Sequence, residues 1–200
     1  MDDLAILMRQ KLQPDKRLAF FQGFLREPQQ VGSVIPSSRF LERRLVKISA
    51  VRHARMVVEL GPGTGGTTHA LLRAMPAGAR LLAIEIDPRF SAMLRAEITD
   101  PRFIVHAGSA EDIAAMLASH GLPVPEVVIS GIPFSTMPAT VGENILRAVW
   151  TSLAPGGRFV AYQFRDRIAV LGRHILGRPE VDVELLNVPP MRVYCWRKSR

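Results

Sequence analysis

The sequence has a single cysteine, Cys195, and no long uninterrupted apolar stretch. One thiol cannot close an internal disulfide, which excludes a fold held together by a disulfide framework. The chain opens on two acids where a secretory signal carries basic residues, and no run approaches the roughly 18 apolar residues of a membrane-spanning helix. We therefore expect a cytosolic protein that touches a membrane only peripherally.

Acidic residues are the minority, with 18 Asp and Glu against 26 Lys and Arg, and a net charge of +8. The excess lies at the two ends: residues 1–53 hold ten basic and five acidic side chains, and residues 158–200 hold nine and four. Basic ends around a near-neutral centre favour an anionic partner, either nucleic acid or a phosphate-bearing membrane surface. An ordinary solvated basic surface is the alternative.

Short aliphatic runs alternate with amphipathic stretches along a chain whose length suits one packed core. We predict strands over residues 56–60, 80–85, 102–106, 126–130 and 157–164, and helices over residues 67–74, 88–98, 110–119 and 139–153. This alternation is typical of an α/β fold in which helices cover both faces of a parallel sheet.

The last part of the chain departs from that alternation. A helical pattern over residues 165–177 is followed by two further strand candidates, "VDVELLNV" and "MRVYCWRKS", and Pro189 and Pro190 between them suit a tight hairpin. We expect residues 51–200 to form one catalytic domain, and residues 1–50 to form a helical extension.

The stretch "VVELGPGTGGTTHALL", residues 57–72, joins a predicted strand to a helix through a glycine-rich turn. Such a turn lets the backbone approach a ligand at the carboxyl end of the sheet. Gly61, Gly63 and Gly66 fit the dinucleotide pattern G-x-G-x-x-G, whereas Gly61, Gly63 and Gly65 fit E-x-G-x-G-x-G with Glu59. The turn alone does not choose between them.

Three features together favour a methyl donor. Glu85 ends the next strand, where a carboxylate accepts the hydroxyls of an adenosine ribose; nicotinamide and S-adenosylmethionine sites share this requirement, so Glu85 narrows the ligand to an adenosine. Glu59 lies two residues before Gly61, where an acid repels a pyrophosphate and attracts the cationic methionine end of S-adenosylmethionine. More than 50 residues precede the first strand, whereas a dinucleotide domain usually opens its chain.

Four motifs in succession resemble those of the class I S-adenosylmethionine-dependent methyltransferases: "VVELGPGTGGTTHALL", "LLAIEIDP", "HAGSAEDI" and "VVISGIPFSTMP". Together with "FLREPQQVGSVIPSSRFL", the "SGIPF" motif is similar to the bacterial phospholipid N-methyltransferases, which act on phosphatidylethanolamine, and to their ornithine-lipid relatives. The same motifs also resemble the rRNA adenine dimethyltransferases. The resemblance implies a Rossmann-like, mainly parallel seven-stranded sheet whose final strand is antiparallel.

The resemblance also implies a set of contacts with S-adenosylmethionine. The glycine turn would line the methionine and ribose, Glu85 would hold the ribose and Ile86 would pack on adenine. The full set of implied cofactor residues is Glu59, Gly61, Gly63, Thr64, Gly65, Glu85, Ile86, Ser109, Ala110 and Ser130.

Gly131, in "SGIPF", distinguishes the substrate classes. Enzymes that methylate a nucleobase amine carry Asn or Asp at this position, because a conjugated amine is a poor nucleophile and its hydrogens need an acceptor. Glycine offers none, which favours an alkyl amine, unless the Ser130 hydroxyl substitutes. We predict Ser130 and Phe134 as catalytic residues, and a substrate site formed by Ser37, Ser38, Gly131, Ile132, Pro133 and Phe134.

The N-terminal stretch "DKRLAFFQGFLREP" has an apolar helical stripe with basic residues at its ends, as an interfacial helix does. The alternative is that the stripe packs on the catalytic sheet. The residues that we predict to meet the membrane are Lys16, Arg17, Phe20, Phe21, Phe24 and Arg26.

Together these observations predict an S-adenosylmethionine-dependent N-methyltransferase. We expect it to methylate phosphatidylethanolamine towards phosphatidylcholine at the inner face of the membrane, by an in-line displacement that needs no metal. The five histidines show no metal-ligand spacing. The alternatives are an rRNA adenine N6-methyltransferase and a protein that binds S-adenosylmethionine without turnover.

Overall fold

The structure, a computed structural model, describes residues 37–200. The predicted membrane residues Lys16, Arg17, Phe20, Phe21, Phe24 and Arg26 lie outside the described residues. No helix within residues 37–200 is both long and apolar enough to cross a bilayer.

Seven strands form one sheet in the order β3-β2-β1-β4-β5-β7-β6. They are β1 (Met56–Leu60), β2 (Arg80–Glu85), β3 (Phe103–Ala107), β4 (Val127–Ser130), β5 (Arg158–Gln163), β6 (Glu180–Glu184) and β7 (Met191–Arg197). Strands β1 to β5 are parallel, and β7 runs antiparallel to both of its neighbours. The predicted mainly parallel sheet with an antiparallel final strand is confirmed.

Helices cover both faces of this sheet. They are α1 (Arg39–Ser49), α2 (Gly66–Ala74), α3 (Pro88–Glu97), α4 (Ile113–Ser119), α5 (Ala139–Ser152) and α6 (Arg167–Gly172). Each face buries its own apolar cluster. The central strands are apolar on both sides because both sides are covered, and β1 is buried along its whole length.

The predicted elements agree with the observed ones to within a residue or two for most of the sheet. Strand β3 begins one residue later than predicted because the Arg102 amide donates to the Asp100 carboxylate at 2.9 Å, which makes a local turn. The predicted helix over residues 110–119 begins as a short 3₁₀ turn, Ala110–Asp112, before α4.

The final hairpin is longer than predicted. Strands β6 and β7 pair antiparallel with Glu184 opposite Met191, so residues 185–190 form a six-residue connection and not a tight turn. The connection makes its own hydrogen bonds: the Leu186 amide donates to Glu184 at 2.9 Å, and the Asn187 side chain donates to the Pro189 carbonyl at 2.9 Å. Asn187 is buried, which makes it the anchor of the loop.

Helix α1, from the segment assigned by sequence to the N-terminal extension, packs into the core of the sheet. Ser38 caps it, accepting from the Leu41 amide at 3.2 Å. Leu45 is fully buried among the side chains of one sheet face. On the adjacent side Arg44 donates to Asp182 at 2.5 Å and to Glu184 at 2.7 Å, which joins α1 to β6.

We expect Leu45→Ala to lower the free energy of unfolding by about 2–5 kcal/mol, the usual cost of truncating a buried leucine. The measurement is urea denaturation followed by circular dichroism. Arg43→Ala is the matched control, because Arg43 is an exposed residue of the same helix and its loss should change stability by less than about 0.5 kcal/mol. Equal midpoints for the two variants would show that α1 is not part of the core.

Candidate functional site

The candidate site lies where the order of the parallel strands reverses, between β1 and β4. At such a point the loops after neighbouring strands diverge and leave a crevice beyond their carboxyl ends. The glycine turn follows β1 and "SGIPF" follows β4, so these two sequence motifs lie side by side in the fold. A Cβ on Gly61 would be 3.1 Å from the Ile132 side chain.

The backbone of the glycine turn decides between the two glycine patterns. Gly61, Gly63 and Gly65 have positive φ angles of 68°, 56° and 84°, whereas Gly66 is the first residue of α2. The pattern that the fold requires is therefore E-x-G-x-G-x-G. At Gly63, no atom of residues 37–200 lies within 4 Å of the position that a Cβ would take, so this turn faces open space.

Glu59 is a buried carboxylate with one oxygen left over. The Thr68 hydroxyl donates to its Oε2 at 2.7 Å, and Oε1 has no hydrogen-bond partner among the described residues. Burial raises the pKa of Glu59 to about 7. A buried, unsatisfied carboxylate oxygen is costly unless a donor or a cation reaches it. The amino group of a bound S-adenosylmethionine fits that requirement.

Glu85 ends β2 and holds the glycine turn in place. Its Oε2 accepts from the Gly63 amide at 3.0 Å and its Oε1 from the Asp87 amide at 3.0 Å. Burial raises the pKa of this carboxyl. Each carboxylate oxygen retains a second lone pair, so the group can still accept two ribose hydroxyls while it holds the turn.

The predicted adenine residues follow β2 and β3. Ile86 is half-buried, and Ala110 is buried. The Ser109 hydroxyl accepts from the Glu111 amide and donates to the Glu111 carboxylate, both at 3.3 Å. It caps the 3₁₀ turn, which leaves the Ala110 backbone as the more available group for the edge of a base. Thr64, at the tip of the glycine turn, is exposed.

The "SGIPF" turn is held from both sides. The buried Ser130 hydroxyl accepts from the Ile132 amide at 3.3 Å, and the Gln163 side chain donates to the Ile132 carbonyl at 2.6 Å. Ser130 therefore shapes the turn, and no contact of its hydroxyl points to a role as a base. Gln163 is the last residue of β5, and no sequence motif marks it as part of the site.

Gly131 lies where two other segments converge. A Cβ there would come within 2.5 Å of the Tyr162 hydroxyl oxygen and 3.1 Å of the Gly61 carbonyl oxygen. Real Cβ atoms essentially never approach another atom within 3.0 Å, so a side chain at this position would force the Tyr162 hydroxyl to move. The Tyr162 hydroxyl occupies the space into which an Asn side chain would extend. Sequence reasoning identified the missing acceptor but not the tyrosine that takes its place.

Tyr162 belongs to a chain of hydroxyl groups. Its hydroxyl lies 3.3 Å from the Thr67 hydroxyl, which lies 3.3 Å from the Ser37 hydroxyl. Burial of the phenol, with the nearby Glu59 carboxylate, raises the pKa of Tyr162 to about 12. The phenol therefore remains protonated at neutral pH. The Ser38 amide donates to Asn187 at 2.9 Å, so the predicted substrate residues Ser37 and Ser38 connect the site to the last hairpin.

Phe134 does not lie where the sequence placed it. Its ring is fully buried in the core, and a Cβ on Gly142 of α5 would be 3.4 Å from it. The predicted role as a catalytic and substrate-contacting residue does not fit this position, because protein surrounds the ring. The chain turns inward after the half-buried Pro133, and this directs Phe134 to the core.

The sequence of the chain is similar to those of known proteins, although no protein-family model matches it. It is 32% identical over 141 residues to the ornithine lipid N-methyltransferase of Singulisphaera acidiphila, a match that covers 70% of this chain and 73% of that protein. It is 34% identical over 136 residues to the ribosomal RNA small subunit methyltransferase A of Corynebacterium jeikeium, covering 62% of this chain and 36% of that protein.

Solved structures give the fold. The N-methyltransferase NodS from Bradyrhizobium japonicum, in complex with S-adenosylhomocysteine, aligns with a TM-score of 0.68 at 14% identity, over 90% of this chain and 99% of that one. A likeness at this identity establishes the arrangement of helices and strands, and leaves the substrate to be argued from the site.

We expect S-adenosylmethionine to bind with release of a proton from Glu59. With a pKa of about 7, this carboxyl is largely protonated at pH 6.5, and a neighbouring ammonium ionises it. Affinity should therefore rise as the pH increases from 6 to about 7.5. Calorimetry at pH 6.5 in two buffers of different ionisation enthalpy measures the proton release.

Glu59→Gln should abolish that proton release and weaken binding by roughly 10- to 100-fold, the value of a hydrogen bond to a charged group. Glu97→Gln is the control, because Glu97 is an exposed acid at the far end of α3. Unchanged proton release in Glu59→Gln, or equally strong binding of NAD, would contradict this assignment of the pocket.

Proposed function

The chain belongs to the class I S-adenosylmethionine-dependent methyltransferases, in the family of the ornithine lipid N-methyltransferase, and we propose that it methylates the headgroup amine of a phospholipid. Phosphatidylethanolamine is the substrate that we propose, with its mono-, di- and trimethylated forms as products. We propose that the reaction takes place at the cytoplasmic face of the membrane, where basic residues at both ends of the chain would meet anionic lipid.

The observation that best supports this proposal is the close approach of the Tyr162 hydroxyl to Gly131. A nucleobase amine needs an acceptor that draws its hydrogens out of the ring plane as the nitrogen becomes tetrahedral. Here the backbone at Gly131 has no side chain, and the space holds a neutral phenol, whose oxygen is a weaker acceptor than the amide or carboxylate oxygen of Asn or Asp. An alkyl amine is already tetrahedral and strongly nucleophilic once it has lost its proton, so it needs alignment more than activation.

The relatives support the same choice. The lipid-methylating relative is matched over most of its length, whereas the rRNA-methylating relative extends far beyond the matched part. The matched region of this chain has no counterpart to that additional part of the rRNA enzyme. The basic ends of the chain still favour an anionic partner of either kind, which makes RNA the competitor that an experiment must exclude.

Each residue then has a part in the reaction. S-adenosylmethionine, when bound, supplies a methyl group on a positively charged sulfur. Glu59 holds the amino end of the donor and Glu85 its ribose, which fixes the direction of the methyl group. Tyr162 presents a lone pair to an N–H of the amine beside Gly131, which directs the nitrogen lone pair at the methyl carbon.

The bonds and charges balance without a metal. A nitrogen–carbon bond forms as the carbon–sulfur bond breaks, and its electron pair remains on sulfur, which leaves as a neutral thioether. The headgroup ammonium loses a proton to water before the nitrogen attacks. A phenol with a pKa of about 12 does not take that proton at neutral pH, so Tyr162 positions the amine and does not act as a base.

Incubation with methyl-labelled S-adenosylmethionine tests the substrate class. Vesicles containing phosphatidylethanolamine should acquire label, and ribosomal RNA should not at any salt concentration. Binding of RNA to the basic ends at low ionic strength should fade as salt rises. Label in RNA with none in lipid would overturn the proposal.

Gly131→Asn should reduce lipid methylation at least about tenfold, because the new side chain displaces the Tyr162 hydroxyl and misaligns the amine. It should create no activity on adenine. Gly78→Asn is the matched control: Gly78, like Gly131, is not among the glycines with a positive φ, and no described atom beyond its own chain neighbours lies within 4 Å of its Cβ position. A Gly131→Asn enzyme that keeps full lipid activity would remove the steric basis of the proposal.

Tyr162→Phe should lower kcat by roughly 2- to 12-fold, the value of one neutral hydrogen bond, and leave the affinity for the donor unchanged. Tyr194→Phe is the control, since Tyr194 is the only other tyrosine of the chain and its buried hydroxyl has no hydrogen-bond partner among the described residues. Loss of donor binding together with kcat would show that Tyr162 supports the fold of the pocket and not the amine.

A further inference from the structure

Most of the exposed large apolar side chains in the described part of the chain lie in the last hairpin. Leu185, Leu186 and Val188, which we term the apolar tip, are 71%, 62% and 83% exposed. Val181 and Val183 of β6 are also exposed. Single exposed apolar residues are ordinary, whereas a contiguous group of them marks an interaction surface.

The geometry of β6 explains why these residues face outward. Alternate residues of a strand point to opposite faces, and Asp182 and Glu184 point towards α1, where Arg44 binds both of them. Val181 and Val183 therefore face the other side, at the end of the sheet. The edge strand thus presents an apolar stripe that leads to the apolar tip.

Hydrogen bonds within the hairpin hold the loop that carries the apolar tip. The loop that carries it is fixed by the bond from the Leu186 amide to Glu184 and by the bond from the Asn187 side chain to the Pro189 carbonyl. Glu184 is in turn bound by Arg44 at 2.7 Å. The backbone is anchored while the aliphatic side chains point away from it, which is the arrangement of a preformed binding element.

The apolar tip also lies at the rim of the candidate site. Asn187, between its residues, accepts from the Ser38 amide at 2.9 Å, and the adjacent Ser37 leads through Thr67 to the Tyr162 hydroxyl. The tip and the amine position therefore share one edge of the sheet, the edge at which β1, β4 and β5 end. A surface that binds the tip comes to lie against the mouth of the site.

The segment after β5 brings basic and aromatic residues to the same edge of the sheet as the tip. Phe164, 51% exposed, follows β5, and its carbonyl accepts from the Arg192 side chain at 2.8 Å. Arg165 and Arg167 are exposed beside it, with one exposed acid, Asp166, between them. Aliphatic and aromatic side chains fringed by arginines complement a surface that is apolar inside and anionic outside.

We propose that the apolar tip and Phe164 insert into the interface of a phospholipid bilayer and dock the mouth of the site on the headgroup amines. This rests on the proposed function, because a lipid amine stays at the bilayer surface and can be reached only by a site whose rim faces it. The hairpin would act beside any N-terminal membrane contact and would set the orientation of the enzyme on the membrane.

Full-length wild type and the double variant Leu185→Ser/Leu186→Ser are compared by sedimentation with vesicles of phosphatidylethanolamine and phosphatidylglycerol, without methyl donor. We expect the variant to lose about tenfold or more in partition coefficient, because two large aliphatic side chains no longer leave water. Its melting temperature should match that of wild type, since both leucines are exposed. Val124→Ser is the control: Val124 is 61% exposed but precedes β4, at the opposite edge of the sheet.

A tryptophan reporter tests insertion directly. Emission from Leu186→Trp should shift to shorter wavelength on addition of vesicles, and emission from Val124→Trp should not. An unchanged partition coefficient, or no spectral shift at position 186, would overturn the proposal. Self-association of wild type that the double serine variant abolishes, with equal vesicle binding by both, would also overturn it and assign the tip to a second copy of the chain.

Activity separates this proposal from the proposed function. On a short-chain phosphatidylethanolamine present as monomers, the double variant should equal wild type, whereas on vesicles it should be slower by the factor lost in partitioning. If wild type methylates neither form of the lipid, the proposed function fails, and the vesicle and fluorescence results still decide for or against the tip. If both proteins are equally fast on vesicles, the proposal that the tip inserts into the bilayer fails and the proposed function stands.

Discussion

At Gly131 the backbone passes so close to the Tyr162 hydroxyl and the Gly61 carbonyl that a side chain there would displace the tyrosine hydroxyl. This contact joins the ends of β1, β4 and β5, and it brings the turn that would hold the donor against the turn that would hold the acceptor. Gln163 and Ser130 fix the same turn from either side. Alignment of a nucleophile with a methyl group needs a fixed distance between two binding turns, and this contact provides it.

The charge arrangement around that contact favours a cationic ligand at a cost to the free protein. Glu59 has a pKa of about 7 in the fold against an ordinary value of 4.5. A carboxyl whose pKa is raised by folding lowers the free energy of unfolding as the pH rises from about 4.5 to about 7. Near neutral pH the free energy of unfolding of the ligand-free protein is therefore lowered by the buried Glu59. Binding of a cationic ligand beside Glu59 offsets that cost.

Periodicity and glycine placement predicted most of the sheet, because covered parallel strands and the turns between them have strong local signals. They did not predict the six-residue connection in the last hairpin, in which Asn187 accepts a hydrogen bond from the distant Ser38 amide and donates one to the Pro189 carbonyl within the loop. Phe134 was assigned to the site from its motif, but the turn at Pro133 directs it to the core. The importance of Tyr162 is a tertiary property: only the fold brings its hydroxyl to Gly131.

If the substrate amine binds beside Gly131 as proposed, the Tyr162 phenol also makes successive methylations unequal. A primary amine has two hydrogens on its neutral nitrogen, a monomethylated amine has one, and a dimethylated amine has none. In the proposed reaction the Tyr162 oxygen accepts one of them, so the first two transfers are guided by this contact and the third proceeds without it. On that proposal the third transfer is the slowest, and the dimethylated lipid is the intermediate that should accumulate.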